Sequence, residues 1–420
     1  MLSENSHRNY IARMPKFRGL FIYVRKIKIN KFMVGLLIGF SSISFAQNFP
    51  FPQHTNYSQG YLPTTITSAD ALTAYQVWKT NQLETCPNGS VRVKYDNPAE
   101  TVSEGIAYGM LLSAYHGDKG VFDGIWQYYK NHLNTRGIMD WKIAGCTGTR
   151  LGNNGATDAE LDVAYSLIVA NKQWGTYLSD AQTMISKIKN FETIVSPSGL
   201  HVLKPGDNFG GVNCINASYL SPAYYDVFAK ITPTDSTFWK NMARDAYVQL
   251  NANANATTGL VSDWQNAVSG APGDAGCGVN YAFQGKNYSY DACRTPWRFG
   301  LDYLWGKNTG LAYLNKVSNF VAALPNGIAS VKDGFNQNGT ITGQYHNAPF
   351  VGAFAIAAMS TSQQRVDNFG LDFKNIPVSY EVYFGKSLRA IYMLVLTGNF
   401  WNPITAKADC SKCLIVQVKR

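Results

Sequence analysis

The sequence predicts an all-α fold in one large domain. Apolar residues recur at i, i+3, i+4 and i+7 in many stretches, and loops rich in Gly, Asn, Ser and Pro separate these stretches. With 45% hydrophobic and 15% charged residues, the composition is that of a folded globular protein. Sustained alternation of apolar and polar residues is rare, and no low-complexity linker divides the 420 residues.

The periodicity predicts a series of amphipathic helices of similar length. They are expected at residues 69–83, 103–116, 120–132, 157–173, 179–191, 219–230, 236–252, 295–305, 309–323, 349–359 and 381–397. The long polar loops 137–155, 193–218 and 254–294 carry Trp141, Phe209 and Trp264. Long ordered loops on a helical scaffold are common places for binding sites.

The net charge of +10 does not indicate a nucleic-acid-binding protein. Eight basic residues and a single acidic one, Glu4, lie within residues 1–31, so the remainder carries a net charge of only +3. The basic excess belongs mostly to the leader, and no nucleic-acid partner is expected.

The leader has the pattern of a secretory signal. The basic segment is followed by an apolar run at 32–45 and by the small residues Ser44 and Ala46, which predicts cleavage after Ala46. We therefore expect a leader at 1–46, a catalytic-size domain at 47–400 and a tail at 401–420. The expected location is secreted, periplasmic or at the cell surface, without stable membrane association after cleavage. An uncleaved anchor and a later translation start remain open alternatives.

Seven cysteines fit an oxidising compartment without fixing their pairing. Cys410 and Cys413 form a CxxC near the chain end, but no second pair stands at zinc-finger spacing. The pair is interpreted as a tail disulfide or as two unpaired thiols. Neither a metal nor a cofactor is predicted.

Three segments place carboxylates beside aromatic or basic residues near predicted helix starts. They are TVSEGIAYGM at 101–110, ATDAELDVAYSLIVANKQW at 156–174 and YDACRTPWRFGLDYLW at 290–305. Structural interpretations are also available. Thr101-x-x-Glu104 and Thr157-x-x-Glu160 fit capping boxes, in which Asp158 would only favour the positive end of a helix. The spacing of Asp291, Arg294 and Arg298 fits a buried ion pair that supports a loop.

Taken together, these segments resemble glycoside hydrolase family 8 over residues 67–400. Residues 156–174 are similar to the family signature A-[ST]-D-[AG]-D, except that Glu160 stands where the family usually has Asp. The resemblance implies an (α/α)6 barrel of six inner and six outer helices, a substrate cleft across one end, and hydrolysis with inversion at the anomeric carbon.

The resemblance also implies roles for individual residues. Glu104 looks like the general acid and Asp291 like the general base. Asp158 is similar to the carboxylate that binds and distorts the sugar, Tyr219 to the Tyr that helps to hold the nucleophilic water, and Arg294 to the Arg beside the base. The residues expected to bind substrate are Arg294, Trp141, Phe209, Tyr108 and Trp297. Phe209 stands where many relatives carry Trp.

The two principal carboxyl groups are expected to differ in pKa. A Glu on a hydrophobic helix flank can have a raised pKa, whereas an Asp near Arg294 and Arg298 should stay ionised. That division suits an inverting enzyme, which needs a protonated acid and an ionised base on opposite faces of the sugar.

Among substrates, β-1,4-glucan is preferred over xylan, mixed-linkage glucan and chitosan. In one chitosanase-type branch of the family the base is a Glu in an inserted loop, but here Asp291 is present and no Glu lies between Tyr247 and Asp291. The resemblance therefore favours a cellulase-type endoglucanase with a β-glucan polysaccharide as its partner. A non-catalytic surface glycan-binding protein is the alternative of another class. The sequence predicts no oligomeric state.

Overall fold

The computed structural model describes residues 48–273, 277 and 285–407, and twelve α-helices lie within them. Their bounds are α1 (Ser68–Gln82), α2 (Ser103–Tyr115), α3 (Lys119–Asn131), α4 (Thr157–Trp174), α5 (Leu178–Phe191), α6 (Pro222–Ile231), α7 (Ser236–Asn253), α8 (Thr295–Leu304), α9 (Leu311–Ala322), α10 (Ala348–Ala358), α11 (Gln363–Asn375) and α12 (Tyr383–Leu396). The predicted signal, its cleavage site, Cys410 and Cys413 lie outside the described residues.

Every predicted helix is present with ends shifted by at most a few residues, and α11 was not predicted. The largest shift is at α6, which begins at Pro222 because residues Ala217–Tyr219 form a separate 3-10 turn. Proline suits the first helical position, where its missing N–H has no partner to lose.

The even-numbered helices form an inner ring. Each of them contacts the next, and α12 contacts α2, which closes the ring. Every residue of α4 except Asn171, Lys172 and Trp174 near its C-terminal end is buried, and α10 is buried along its whole length. An inner helix buried all round is the arrangement expected in the core of a large domain.

The odd-numbered helices pack outside this ring, with α1 against α12, α3 against α2, α5 against α4, α7 against α6, α9 against α10 and α8, and α11 against α10. Outer helix α5 buries Ala181, Met184, Ile185 and Ile188 and exposes most of its other side chains. This one-faced burial follows the 3.6-residue period. The architecture is the expected (α/α)6 barrel.

Short antiparallel strands lie in the connections between the helices. They are β1 (Leu83–Thr85) with β2 (Val91–Val93), the sheet β3 (Thr101–Val102), β4 (Lys142–Ala144) and β5 (Thr149–Gly152), then β6 (Thr193–Val195) with β7 (His201–Leu203), and β8 (Ile215–Asn216) with β9 (Trp264–Gln265). Strands of two to four residues are too short to produce a detectable alternation, so they were not predicted.

Two disulfides lie in these connections, Cys86–Cys146 and Cys214–Cys277, while Cys293 is a free, buried thiol. The first links the turn between β1 and β2 to the 3-10 turn after β4. Within the described residues no helix is long and apolar enough to cross a membrane, and no group of His, Cys, Asp and Glu could hold a metal ion.

Candidate active site

One guanidinium joins three of the predicted site carboxylates. Arg294 ends the 3-10 turn that leads into α8, and its side chain is almost completely buried. Its Nη1 donates to Glu104 Oε2 and to Asp158 Oδ2, both at 2.7 Å, and its Nη2 donates to Asp291 Oδ1 at 2.9 Å. The structure therefore brings together residues from the N-terminal ends of α2, α4 and α8.

Glu104 lies in the first turn of α2, and Asp158 in the first turn of α4. Neither helix begins with the capping box that the sequence allowed. The N-cap residues are Val102 and Ala156, without side-chain caps, and the Thr101 hydroxyl donates instead to the carbonyl of Val93. The first-turn carboxylates are thus free to meet Arg294.

The environment of Glu104 suits a proton donor. Burial raises its pKa to about 7, the charge of Asp158 acts in the same direction, and Arg294 opposes both. The Tyr383 hydroxyl also donates to Oε1 at 2.7 Å. Since one cation faces three carboxyl groups, a carboxyl that keeps its proton near neutral pH relieves their repulsion. Glu104 can therefore hold the proton that a leaving oxygen requires.

The environment of Asp291 differs from the expectation in one respect. Burial raises the pKa of Asp291 above its usual value, and Arg294 opposes this rise as one supporting arginine instead of the two expected. Arg298 was expected to be the second, but it lies one helical turn further along α8. There it binds Asp162 through two hydrogen bonds of 2.6 and 2.7 Å.

The Arg298–Asp162 pair repeats the Arg294–Asp158 pair one turn deeper in the barrel. Both partners are at most 1% exposed. Asp162 follows Asp158 by one turn of α4, and Arg298 follows Arg294 by four residues. Two parallel ion pairs therefore link the start of α8 to α4.

Two residues expected to bind substrate are completely buried. Tyr108 and Trp297 are both 0% exposed, and their rings meet edge to face at 6.4 Å. The Tyr108 hydroxyl accepts from Arg294 at 3.1 Å, and Trp297 lies 4.0 Å beneath the guanidinium of Arg298. The prediction was wrong for direct contact with a glycan, because both rings point into the core and support the arginines.

Tyr219 lies beside the carboxylate cluster. It is 9% exposed, and the guanidinium of Arg294 lies 5.3 Å from the centre of its ring. Its place at the end of the 3-10 turn before α6 puts it near the N-terminal end of another inner helix.

The aromatic residues of the long loops offer surface for sugar rings. Trp141 is 41% exposed and immediately precedes β4, and its carbonyl accepts from the backbone N–H of Ser103 at 2.9 Å. That bond connects it directly to the start of the helix that carries Glu104. Phe209 is half-buried and packs edge to face against Trp264 at 5.9 Å. Pyranose C–H faces pack well on such rings.

Tyr383 is a site residue that sequence reasoning missed. It begins α12 and binds the candidate acid, and it lies in the first turn of its helix, as Glu104 and Asp158 do in theirs. The signal that could have found it was positional: site residues occur at the start of alternate helices, and Tyr383 is the first residue of α12.

Gly105→Ala tests the contact between Tyr383 and Glu104. A Cβ at Gly105 would lie 2.9 Å from Tyr383 Cε2 and 3.1 Å from its hydroxyl oxygen, so the ring must move. Since that hydroxyl stabilises the charged form of Glu104, its loss should raise the pKa of Glu104 and shift the basic limb of the pH–rate profile to higher pH. We expect kcat to fall about 10-fold or more.

Gly109→Ala is the control for this prediction. It lies one turn further along α2, where a Cβ would meet Ile125, Val93 and Trp78 instead. This variant should lose stability without moving the basic limb. If Gly105→Ala and Gly109→Ala give the same pH profile, Tyr383 does not set the acidity of Glu104.

A second pair of carboxyl groups lies close to the site but outside it. Glu160 and Glu192 are both completely buried, and the Cβ position of Gly155 lies 3.2 Å from Glu160 Oε2 and 3.0 Å from Glu192 Oε1. Burial raises the pKa of Glu192 to about 8, and burial together with the charge of Glu192 raises that of Glu160. Tyr129 donates its hydroxyl to Glu160 at 2.9 Å.

The raised pKa values of Glu160 and Glu192 predict that the folded protein loses stability as the pH rises. The folded protein holds protons that the unfolded chain releases above pH ~4.5, so the free energy of unfolding should fall between pH ~5 and 8. Glu192→Gln should remove part of that loss, on the order of 2 kcal/mol. Thermal melts at pH 5 and pH 8 measure it, with the exposed Asp123→Asn as control. Equal pH slopes for wild type and Glu192→Gln would refute the prediction.

Comparisons with known proteins agree with this geometry. Residues 49–398 match the family model for glycosyl hydrolases family 8. Endoglucanase 2 of Ruminiclostridium josui is 36% identical over 380 residues, which are 86% of this chain and 78% of that protein. The beta-glucanase of Niallia circulans is 31% identical over 410 residues, 92% of this chain and all of that protein.

A solved structure is similar to this chain in both fold and sequence. The apo beta-1,3-1,4-glucanase from Paenibacillus sp. X4 superimposes with a TM-score of 0.76 and 30% identity, and the match covers 84% of this chain and 99% of that one. Fold and sequence likeness thus extend over nearly all of the described residues.

Proposed function

The chain belongs to glycosyl hydrolase family 8, and we propose that it is a secreted enzyme that cleaves β-1,4-glucan internally with inversion of configuration. The observation that supports this proposal most strongly is the bridge that Arg294 makes between Glu104, Asp158 and Asp291. It combines a carboxyl with a pKa near 7 and a carboxylate supported by a cation in one buried cluster.

In the proposed reaction Glu104 donates its proton to the glycosidic oxygen as the bond to the anomeric carbon breaks. Asp291 accepts a proton from a water molecule, whose oxygen attacks the anomeric carbon from the opposite face. Glu104 ends as a carboxylate and Asp291 as an acid, so a proton exchange with solvent restores both. Asp158, fixed by Arg294, would bind the sugar at the cleavage point, and Tyr219 would help to hold the water.

The preference for β-1,4-glucan rests on the endoglucanase relative and on the presence of Asp291 as base. A second candidate is mixed-linkage glucan, favoured by the likeness to a beta-1,3-1,4-glucanase structure. Both polymers contain β-1,4-linked glucose, which would pack on Trp141 and Phe209 in the same way.

A substrate panel with product sizing tests the proposal. Carboxymethylcellulose should be hydrolysed with higher kcat/KM than xylan, mixed-linkage glucan or chitosan, and its viscosity should fall early, as expected for internal cleavage. A preference for mixed-linkage glucan would select the second candidate, and a preference for xylan would overturn the assignment to glucan. Glycan binding without any release of reducing sugar would indicate the non-catalytic alternative.

Secretion is supported by the apolar run that ends near Ala46 and by the two disulfides, which persist in oxidising compartments. Exported protein should begin at Gln47 or within a few residues of it. N-terminal sequencing of exported, soluble protein that finds an intact Met1 would contradict cleavage.

A further inference from the structure

Asp263 is a carboxylate beside the candidate base to which the proposed reaction gives no part. It lies in the connection between α7 and β9 and is 9% exposed. Its Oδ1 accepts two backbone hydrogen bonds, from Ser289 at 3.0 Å and from Ala292 at 2.7 Å. One oxygen atom thus binds the amides on both sides of the Tyr290–Asp291 dipeptide.

These contacts restrict the segment that carries Asp291. The backbone N–H of Asp263 donates to the carbonyl of Asn287 at 2.9 Å, so the two segments are joined at a third point. On the far side, the Tyr290 hydroxyl donates to Asp333 at 2.7 Å. A backbone segment fixed at these points has little freedom to rotate, and the direction of the Asp291 side chain is fixed with it.

The strand that follows Asp263 brings further groups close to the Asp291 carboxylate. Trp264 in β9 pairs with Asn216 in β8, and the side chains of both favour the charged form of Asp291 by lowering its pKa. Asp263 and Trp264 therefore approach the base from the connection between α7 and α8, and Asn216 approaches it from the connection between α5 and α6.

Two neighbouring carboxyl groups do not both ionise readily in a buried site. Burial and the charge of Asp291 raise the pKa of Asp263 to about 8, and its hydrogen bonds to Ala292 and Ser289 act against this rise. The other charged or titratable groups around Asp291 are Glu104 on α2, Asp158 on α4, Tyr219 before α6, and Cys293 and Arg294 on its own turn. With its proton retained, Asp263 offers a carbonyl oxygen to the two amides without adding negative charge beside the base.

We propose that Asp263 is a positioning residue for the general base, and that its carboxyl holds the Ser289–Ala292 segment so that Asp291 points at the attacking water. The inference rests on the proposed function, because it assumes that Asp291 activates water. It assigns Asp263 no contact with substrate.

The test compares two substitutions. Asp263→Asn keeps a carbonyl oxygen that can accept both amides, so it should retain kcat within about 3-fold and leave the acidic limb of the pH profile in place. Asp263→Ala removes the acceptor, and a misplaced catalytic group should lower kcat by roughly 10–100-fold with KM little changed. If Asp263→Asn instead lost as much activity as Asp291→Asn, Asp263 would be a catalytic base and the inference would be wrong.

A double-mutant cycle separates positioning from general stabilisation. Because Asp263 acts through Asp291, Asp263→Ala should cost little further activity in the Asp291→Asn background. Additive losses would contradict the inference, and so would an Asp263→Ala variant that melts earlier but keeps wild-type kcat.

Asp245 provides the matched control, since it is 2% exposed and accepts from the backbone N–H of His201 at 2.7 Å, on α7 outside the ring of inner helices. Asp245→Ala should lower the melting temperature while kcat is unchanged. Wild-type protein is assayed first on carboxymethylcellulose. An inactive wild type would overturn the proposed function, whereas an active wild type with unchanged Asp263→Ala kinetics would overturn only the inference about Asp263.

Discussion

Glu104→Gln should lower kcat on soluble β-1,4-glucan by at least about 10²–10⁴, because an amide cannot donate the proton that the leaving oxygen needs. The substitution is nearly isosteric: its amide oxygen can still accept from Arg294, and its NH2 group can donate to the Tyr383 hydroxyl, so folding and glycan binding should be largely retained. Initial rates and a binding isotherm on the same polymer measure both effects.

Asp291→Asn is the matched variant at the candidate general base, and it should lower kcat by a similar factor. An aryl glycoside with an activated leaving group distinguishes the two. Glu104→Gln should recover part of its rate on it, because little protonation is needed, whereas Asp291→Asn should not. Recovery by Asp291→Asn alone would mean that the two roles are exchanged.

Arg294→Met should have the second largest effect, on both stability and activity. It removes the cation that binds Glu104, Asp158 and Asp291, and an uncompensated buried charge typically costs about 3–5 kcal/mol. Since Arg294 lowers the pKa of both Glu104 and Asp291, its loss should raise both. The acidic and basic limbs of the pH–rate profile should then move to higher pH, with kcat at neutral pH reduced about 10²-fold or more.

Arg389→Met is the control for Arg294→Met. Arg389 is also buried and paired with a carboxylate, Glu381, but it lies on α12 away from the carboxylate cluster. It should lose stability while the folded fraction keeps the wild-type pH profile. If both variants only lowered the melting temperature, Arg294 would have a structural role alone.

The helices were predictable because their apolar residues follow the 3.6-residue period, but the same period does not tell which side of an inner helix faces the cleft. Tyr108 and Trp297 illustrate this limit. Each lies within four residues of a site residue in the sequence, yet the turn of the helix directs both rings into the core. Arg298 is similar, because a spacing of four residues places it one turn below Arg294.

The contacts that complete the site are between residues far apart in the chain. Tyr383 meets Glu104 across 279 residues, and this pairing exists only because α12 closes the ring against α2. Asp263 binds amides 26 and 29 residues later, in a loop whose path no periodicity describes. The carboxylates themselves could be found because their motifs are local, which is why the resemblance identified them.

The anomeric configuration of the first product tests the central claim most directly. If Glu104 is the acid and Asp291 activates water in a single displacement, proton NMR of the earliest products from a β-linked glucan should show the α-anomer, with the β-anomer growing in only by mutarotation. Initial release of the β-anomer would mean retention through a covalent intermediate, and would contradict both the acid role of Glu104 and the base role of Asp291.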